Sequence, residues 1–340
     1  MSEPLIQEIY LNKLKNNALK IKKLIGNKVK LCAVVKSDGY GHGVCKISSS
    51  LYSICDYFAI SLLEEAVALR FSGIDKPILM LTPTTKNTVN KLINYDITLS
   101  VSTFNELFLI DKTAKFLNKK AKVHIALNTG MNRLGFDSLK SVIKCVEFIK
   151  KSKNIILEGA FSHFGNVENE ILTESAYKKF MQLSKPIKNY NKSAILHISA
   201  SGGLLKDKKY HLSMVRVGLL LYGYKPFETN KISVEPIMII KAKNLIKRNG
   251  VLNKHLMYGE TLSNSDKVTL LRLGYADGFN VNGVLNSENK LCMDLCAISG
   301  EYDSEYVCVL NNAEVFAKKW NTNIYDVLVS VSKRTNRIYY

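Results

Sequence analysis

Eight short runs rich in apolar and β-branched residues alternate with helical patterns over the first two thirds of this 340-residue chain, and that alternation restricts the fold more than any other feature. The runs lie near 31–35, 57–61, 77–81, 97–101, 121–127, 155–161, 194–198 and 214–217. The segments between them read as helices: Leu62–Phe71 (LLEEAVALRF) carries apolar residues at helical spacing and ends at Gly73, before Asp75–Pro77 leads into the next strand. Parallel strands need right-handed helical crossovers, and eight such units favour a closed (β/α)8 barrel over an open doubly wound sheet. A helix over Leu11–Ile25, with Leu14, Ala18, Ile21 and Ile25 on one side, precedes the first barrel strand and is expected to pack outside.

After Gly223 the texture changes. EPIMIIKAK, KVTLLRLGY, KLCMDLCAI, YVCVL and AEVFAK read as closely spaced strands, with no long helical stretch before the 320s. The expected organisation is therefore a barrel over residues 1–230 and a mainly β C-terminal domain over 231–340, with the boundary between Gly223 and Glu235. The length suits one large barrel plus a smaller domain.

A formal charge of +19 raises the question of a nucleic-acid partner. The lysines are spread along the chain in short pairs, such as Lys119-Lys120 and Lys178-Lys179, where amphipathic helices show their wet face. A solvated surface accounts for them, so no nucleic acid is expected. Seven cysteines without CxxC spacing read as reduced core thiols. The start, MSEPLIQEIY, lacks a basic segment followed by an apolar stretch, and no run approaches the ~18 apolar residues of a membrane span. The expectation is a cytoplasmic protein with no membrane association.

In a barrel, reactive groups belong where strands end and loops begin. Strand one runs LCAVV into Lys36 and then Ser37-Asp38-Gly39-Tyr40-Gly41-His42-Gly43. A lysine there is partly desolvated, which disfavours its charged form and frees its amine for a Schiff base. Taken alone, Lys36 reads more simply as a surface lysine marking the strand exit. Strand five leads into a loop with glycines on both sides of Arg133, whose fork suits a carboxylate. Strand six ends at Phe161-Ser162-His163, strand seven at His197 and then Ser201-Gly202-Gly203, and strand eight holds Arg216 with Gly218 behind it. A lone histidine is more often a satisfied core group and Ser-Gly-Gly more often a turn, but their shared position at one face points to a site. Ser201, Gly202 and Gly203 opening a short helix would present backbone N–H groups to a phosphate.

AVVKSDGYGHG at 33–43 closely resembles the cofactor-lysine signature of the alanine racemase family. The resemblance extends, in the family's order, to NTGMNRLGF (128–136), FSHF (161–164), MVRVGLLLYG (214–223), MYGE (257–260), LGYADGF (273–279) and LCMDLC (291–296). It covers nearly the whole chain. It implies a pyridoxal 5'-phosphate enzyme, an isomerase, built as a barrel followed by a β domain. It also implies a homodimer in which each active site borrows residues from the partner. By position, Lys36 resembles the lysine that bonds the cofactor and serves as one catalytic base, and Tyr258 the second base, reaching over from the other subunit. Tyr40, Ser201, Gly218 and Leu219 resemble phosphate contacts, His163 the histidine against the cofactor ring, and Arg216 the arginine facing the pyridine nitrogen. Arg133 and Met293 resemble contacts to the substrate carboxylate, and Tyr275 a tyrosine at the entrance gate. D-alanine made for peptidoglycan is the role this family implies.

The residue types suit an inversion: bases on both faces of the substrate, and an arginine at the pyridine nitrogen that weakens the electron sink and limits transamination. Arg216 speaks against a decarboxylase of the same barrel type. A racemase of broader range, taking serine or basic amino acids, is the main alternative; bulky Tyr275 and Met293 favour alanine. A noncatalytic pyridoxal-phosphate carrier would be a barrel alone, without Tyr258 and Met293. Four positions depart from the family pattern. Ala126 stands where many members carry a lysine modified by carbon dioxide, leaving an anion such as chloride to hold Arg133. Asn128 replaces a common aspartate, Ala200 a common asparagine, and Lys333 the tyrosine expected at the phosphate.

Overall fold

The computed structural model describes residues 5–258, 263–281, 283–284, 291–331 and 334–340. Lys333 lies outside the described residues. The strands are β1 (Leu5–Ile9), β2 (Lys30–Val34), β3 (Tyr57–Ile60), β4 (Ile78–Met80), β5 (Leu99–Val101), β6 (Ala121–Ala126), β7 (Ile155–Phe161), β8 (Ile195–His197) and β9 (Met214–Val217). They continue with β10 (Met238–Arg248), β11 (Val268–Arg272), β12 (Cys296–Ser299), β13 (Tyr306–Leu310) and β14 (Asn336–Tyr339).

Strands β2 to β9 are the eight expected barrel strands, each within two residues of its expected run. They form two parallel four-stranded arrays, β4-β3-β2-β9 and β5-β6-β7-β8. Thr98 N–H donates to Ile78 O and Met80 N–H to Thr98 O, both at 2.9 Å, joining β4 to β5. Ser213 N–H to Leu196 O and Arg216 N–H to Ser199 O, both at 3.0 Å, join β8 to β9 and close the ring. The apolar runs explain the burial: Leu31, Phe58, Ile60 and Val123 are fully buried, and each large side chain withdrawn from water contributes about 1.5–3 kcal/mol. Helix Leu11–Ile25 buries Leu14, Ala18 and Ile21 as its spacing required. Asn17 Nδ2 donates to Leu221 O at 3.1 Å and ties this helix to the chain after β9.

The chain divides into two compact units, Lys15–Gly39 with Val44–Val234, and Met1–Leu14 with Tyr40–Gly43 and Glu235–Tyr340. This corrects the assignment of residues 1–230 to the barrel alone. β1 pairs antiparallel with the first half of β10, from Ile9 opposite Met238 to Leu5 opposite Ala242, and parallel with β14. The sequence reading did not include this strand, whose partners lie more than two hundred residues away. Gln7, buried in β1, donates from Nε2 to Gly41 O at 2.9 Å, and Tyr339 Oη donates to His42 O at 3.1 Å. These bonds bring residues 40–43 into this unit. The second half of β10 pairs with β11, β11 with β12, and β13 with β10.

Two strand assignments in this unit also need correction. AEVFAK belongs to a helix, Ala313–Lys319, because the Asn312 side chain accepts from Glu314 N–H at 2.9 Å and the buried residues Ala313, Phe316, Ala317 and Trp320 follow helical spacing. KLCMDLCAI becomes strand only from Cys296. All seven cysteines are unpaired; Cys32, Cys55, Cys145 and Cys296 are buried, whereas Cys308 is exposed rather than a core thiol. Among the described residues no helix is long and apolar enough to cross a membrane.

Candidate active site

Lys36 follows β2 directly and opens a turn of unusual hand. Ser37 (φ 54°, ψ 50°), Asp38 (φ 54°, ψ 47°) and Gly39 (φ 63°, ψ 44°) are all left-handed, and Tyr40 follows with φ 52°. Only glycine adopts this region freely; each other L-residue loses roughly 1–2 kcal/mol there. Specific bonds hold the turn. Asp38 N–H donates to Glu65 Oε1 at 3.3 Å, Asp38 Oδ1 accepts from Val44 N–H at 2.9 Å, and Gly39 N–H donates to Val35 O at 2.8 Å. Glu65 is itself buried, its Oε2 accepting from Ser61 N–H and Leu62 N–H ahead of helix Leu63–Phe71. Burial pulls the Lys36 amine below its ordinary range and Arg133 adds to the effect, with the Glu65 charge opposing both.

Arg216, near the end of β9, is buried. Its Nη1 donates to His197 Nδ1 at 2.6 Å and His197 O at 3.1 Å, and its Nη2 to Ser162 O at 2.6 Å and Ile198 O at 3.4 Å, with His163 Nδ1 at 3.3 Å. Its Nε–H makes no hydrogen bond to a described residue. A buried guanidinium with four fixed N–H groups and one left over fits a ligand that brings an acceptor, such as a pyridine nitrogen. Burial draws Arg216 down to about 10 and, together with Arg216, Arg133 and Lys36, draws His163 down to about 3. His163 is therefore a neutral ring at neutral pH. The buried Ser201 hydroxyl accepts from Leu220 N–H at 3.4 Å, which ties it to the turn containing Gly218 and Leu219. Within the barrel unit, Lys36, Arg133, His163 and Arg216 thus form one electrostatic group, with Ser201 and Gly218–Leu219 on the loops after β8 and β9.

The loop bearing Arg133 is latched to β6. Asn128 N–H donates to Phe136 O and Phe136 N–H to Ala126 O, both at 2.9 Å. Gly135 (φ 105°) lies so close that a Cβ there would sit 2.6 Å from the Ala126 carbonyl. Asn128 Oδ1 accepts from Gly130 N–H and Asn132 N–H, so the amide serves the turn as an aspartate would. Ala126 is a buried methyl. Among the described residues Arg133 forms no ion pair.

The remaining expected residues lie in the other unit. Tyr40 is buried, its ring 5.7 Å from that of Tyr325, and burial pushes its phenol up. Tyr258, Tyr275 and Met293 gather around Cys292: Tyr275 N–H donates to Cys292 O at 3.1 Å, Ala276 N–H to Met293 O at 3.0 Å, and the Tyr258 backbone lies against the Cys292 thiol. These residues are 74%, 44% and 54% exposed. Asp277, buried, accepts from Gly274 N–H at 2.8 Å and pairs with Arg272 and Arg334, anchoring the Tyr275 segment.

Sequence reasoning missed His124 on β6 and Glu158 on β7. His124 Nδ1 lies 2.7 Å from His197 Nε2, and its Nε2 lies 3.3 Å from Glu158 Oε2. The available signal was a polar residue interrupting each apolar strand run, AKVHIA and IILEGAF.

Comparison with known proteins completes this picture. Residues 9–226 match the family model described as "Alanine racemase, N-terminal domain". The alanine racemase of Methanococcus maripaludis is 32% identical, the alignment covering 100% of this chain and 99% of that protein. That of Clostridium kluyveri is 31% identical over 99% of this chain and 94% of its own length. The solved alanine racemase of Clostridium difficile 630 superimposes with a TM-score of 0.93 at 28% identity, covering 100% of this chain and 96% of the other. The lysine turn, the charged barrel group and a match across the full length lead to one conclusion: this chain belongs to the alanine racemase family.

Proposed function

We propose that the chain interconverts L-alanine and D-alanine with pyridoxal 5'-phosphate held at Lys36, as a cytoplasmic homodimer whose active sites each take Tyr258 from the partner. The observation that carries this reading is the half-buried amine of Lys36, displaced from its ordinary range in the same charged group as His163 and Arg216. The Clostridium difficile 630 alanine racemase also has a structure in complex with cycloserine, which matches this chain at a TM-score of 0.89 and 28% identity.

The residues divide the work. When bound, pyridoxal phosphate supplies the electron sink that acidifies the α-hydrogen of an amino acid. Lys36, with a weakened hold on its proton, takes or gives a proton at Nζ on one face. Tyr258 does the same through its phenol on the other, and inversion requires both. Arg216 keeps its own proton and offers Nε–H to the pyridine nitrogen, which keeps that nitrogen unprotonated. Ser201, Gly218, Leu219 and Tyr40 serve the phosphate. Arg133 and Met293 serve the substrate carboxylate, and Tyr275 narrows the approach to substrates the size of alanine. A peptidoglycan role for the D-alanine rests on the family.

The test is spectroscopic and chemical. Purified protein given pyridoxal phosphate should absorb in the visible, lose that band on borohydride reduction with label fixed at Lys36, and exchange the α-hydrogen of alanine in heavy water. Cofactor binding without exchange would overturn racemisation in favour of a carrier. Equal turnover of serine or lysine would replace alanine with a broader substrate range.

A further inference from the structure

The barrel interior holds a line of polar groups that the mechanism above does not use. Arg216 Nη1 faces His197 Nδ1 at 2.6 Å, His197 Nε2 faces His124 Nδ1 at 2.7 Å, and His124 Nε2 faces Glu158 Oε2 at 3.3 Å. Both histidines are fully buried, with neither ring open to water. Glu158 Oε2 also accepts from Thr98 Oγ1 at 3.0 Å.

Proton counting along this line leaves one arrangement. A guanidinium has donors only, so His197 Nδ1 must present its lone pair to Arg216. A neutral His197 then carries its hydrogen on Nε2 and donates it to His124 Nδ1. His124 must accept there, so its hydrogen sits on Nε2, facing the Glu158 carboxylate. Protonating His124 would set two N–H groups against each other at 2.7 Å, unless His197 turned its own N–H towards Arg216, where a donor already stands. The line therefore has a fixed polarity, with a cation at one end, an anion at the other and two neutral rings between. Burial and the Arg216 charge hold His197 well below the ordinary histidine range. Burial and the Glu158 charge push the neighbouring Tyr57 phenol up.

We infer that Glu158 is a positioning residue for Arg216: through His124 and His197, each fixed as the Nε2–H tautomer, it anchors the orientation and charge of the guanidinium. The geometry stands by itself, whereas its effect on turnover rests on the cofactor reading above. A neutral side chain of the same shape at position 158 keeps a hydrogen bond but removes the anion, so Glu158→Gln separates charge from packing.

The experiment uses the full-length, cofactor-loaded protein labelled with 15N at its six histidines. Ring nitrogen shifts should report Nε2–H tautomers at both His124 and His197 near neutral pH. An Nδ1–H tautomer at either, or an imidazolium at His124, overturns the inference, and this measurement needs no variant and no turnover. Glu158→Gln should lower kcat about tenfold, the usual scale for a partner that orients a working group, with KM for alanine changed less than about twofold. It should also displace the pH titration of the visible cofactor band while leaving Tm near that of the parent. Unchanged kcat and an unchanged band in a folded Glu158→Gln protein would reduce Glu158 to packing and overturn the inference. If the tautomers are as described but no racemisation occurs, the functional reading fails while the relay stands.

Discussion

The barrel unit and the unit that contains β10 treat their polar side chains in opposite ways. In the barrel, Arg216, His197, His124 and Ser201 are buried and held to hydrogen bonds or close polar contacts within the same chain. In the other unit, Tyr258, Tyr275 and Met293 are exposed around Cys292, on a backbone braced by Asp277. A buried guanidinium is costly unless its N–H groups are satisfied, so the barrel set must be built complete by one chain. Exposed phenol and thioether groups carry no such demand and can be offered to something outside that chain. The contrast teaches that the Arg216 group is pre-organised within one chain, whereas Tyr258, Tyr275 and Met293 are left open to whatever lies beside them.

The largest expected effect tests the barrel half. Lys36→Ala should abolish the borohydride-fixed label and lower kcat by roughly 10³-fold or more; retention of the label would mean that another amine binds the cofactor. Tyr258→Phe tests the exposed half: the visible band should remain while kcat falls about 10²–10³-fold in at least one direction. Equal rates in both directions at parental level would leave that phenol without a role. Mixing the two variants sharpens the comparison. Random exchange of subunits makes about half the dimers hybrid, each with one intact site of two, so activity should recover to about a quarter of the parental value if sites are shared.

Smaller effects probe stability. Gly135→Ala places a methyl 2.6 Å from the Ala126 carbonyl at a φ of 105°. It should cost about 2–4 kcal/mol and lower Tm by several degrees, with KM raised because Arg133 is displaced. An unchanged melt would show that the Arg133 loop is not latched as described. The smallest concerns pH. His163 has a folded-state value of about 3, below the ordinary 6.5. Its neutral form therefore favours the fold fully above pH 6.5, and the unfolded chain gains by protonation as pH falls from 6.5 towards 3. Tm should decline over that window, and His163→Gln should make the decline shallower by about one proton. A parental slope in that variant would mean that His163 is not buried neutral.

Much of the barrel was legible because a parallel strand buried on both faces must be a short apolar run, and a helix must follow it. Strand ends are where polar residues reappear, so Lys36, Arg133, His163 and Arg216 could be read directly. The left-handed turn could not, since Ser37, Asp38 and Tyr40 adopt positive φ only because Glu65 and Val44 hold the turn. His124 and Glu158 were hidden because strand composition does not say which inward-facing groups meet across a barrel. AEVFAK was misread because Val315 and Phe316 suit a strand locally, and the cap at Asn312 decided otherwise. No local pattern could pair β1 with β10 and β14, because register across such separations depends on the assembled sheet.

That pairing has a consequence for how the molecule is made. Leu5–Ile9 is synthesised well before both its neighbours in the sheet, Met238–Arg248 and Asn336–Tyr339. At about 5–20 residues per second the delay is roughly ten to fifty seconds for the first neighbour and roughly fifteen to sixty-five for the second. During that time an apolar strand edge waits while the intervening barrel emerges and folds.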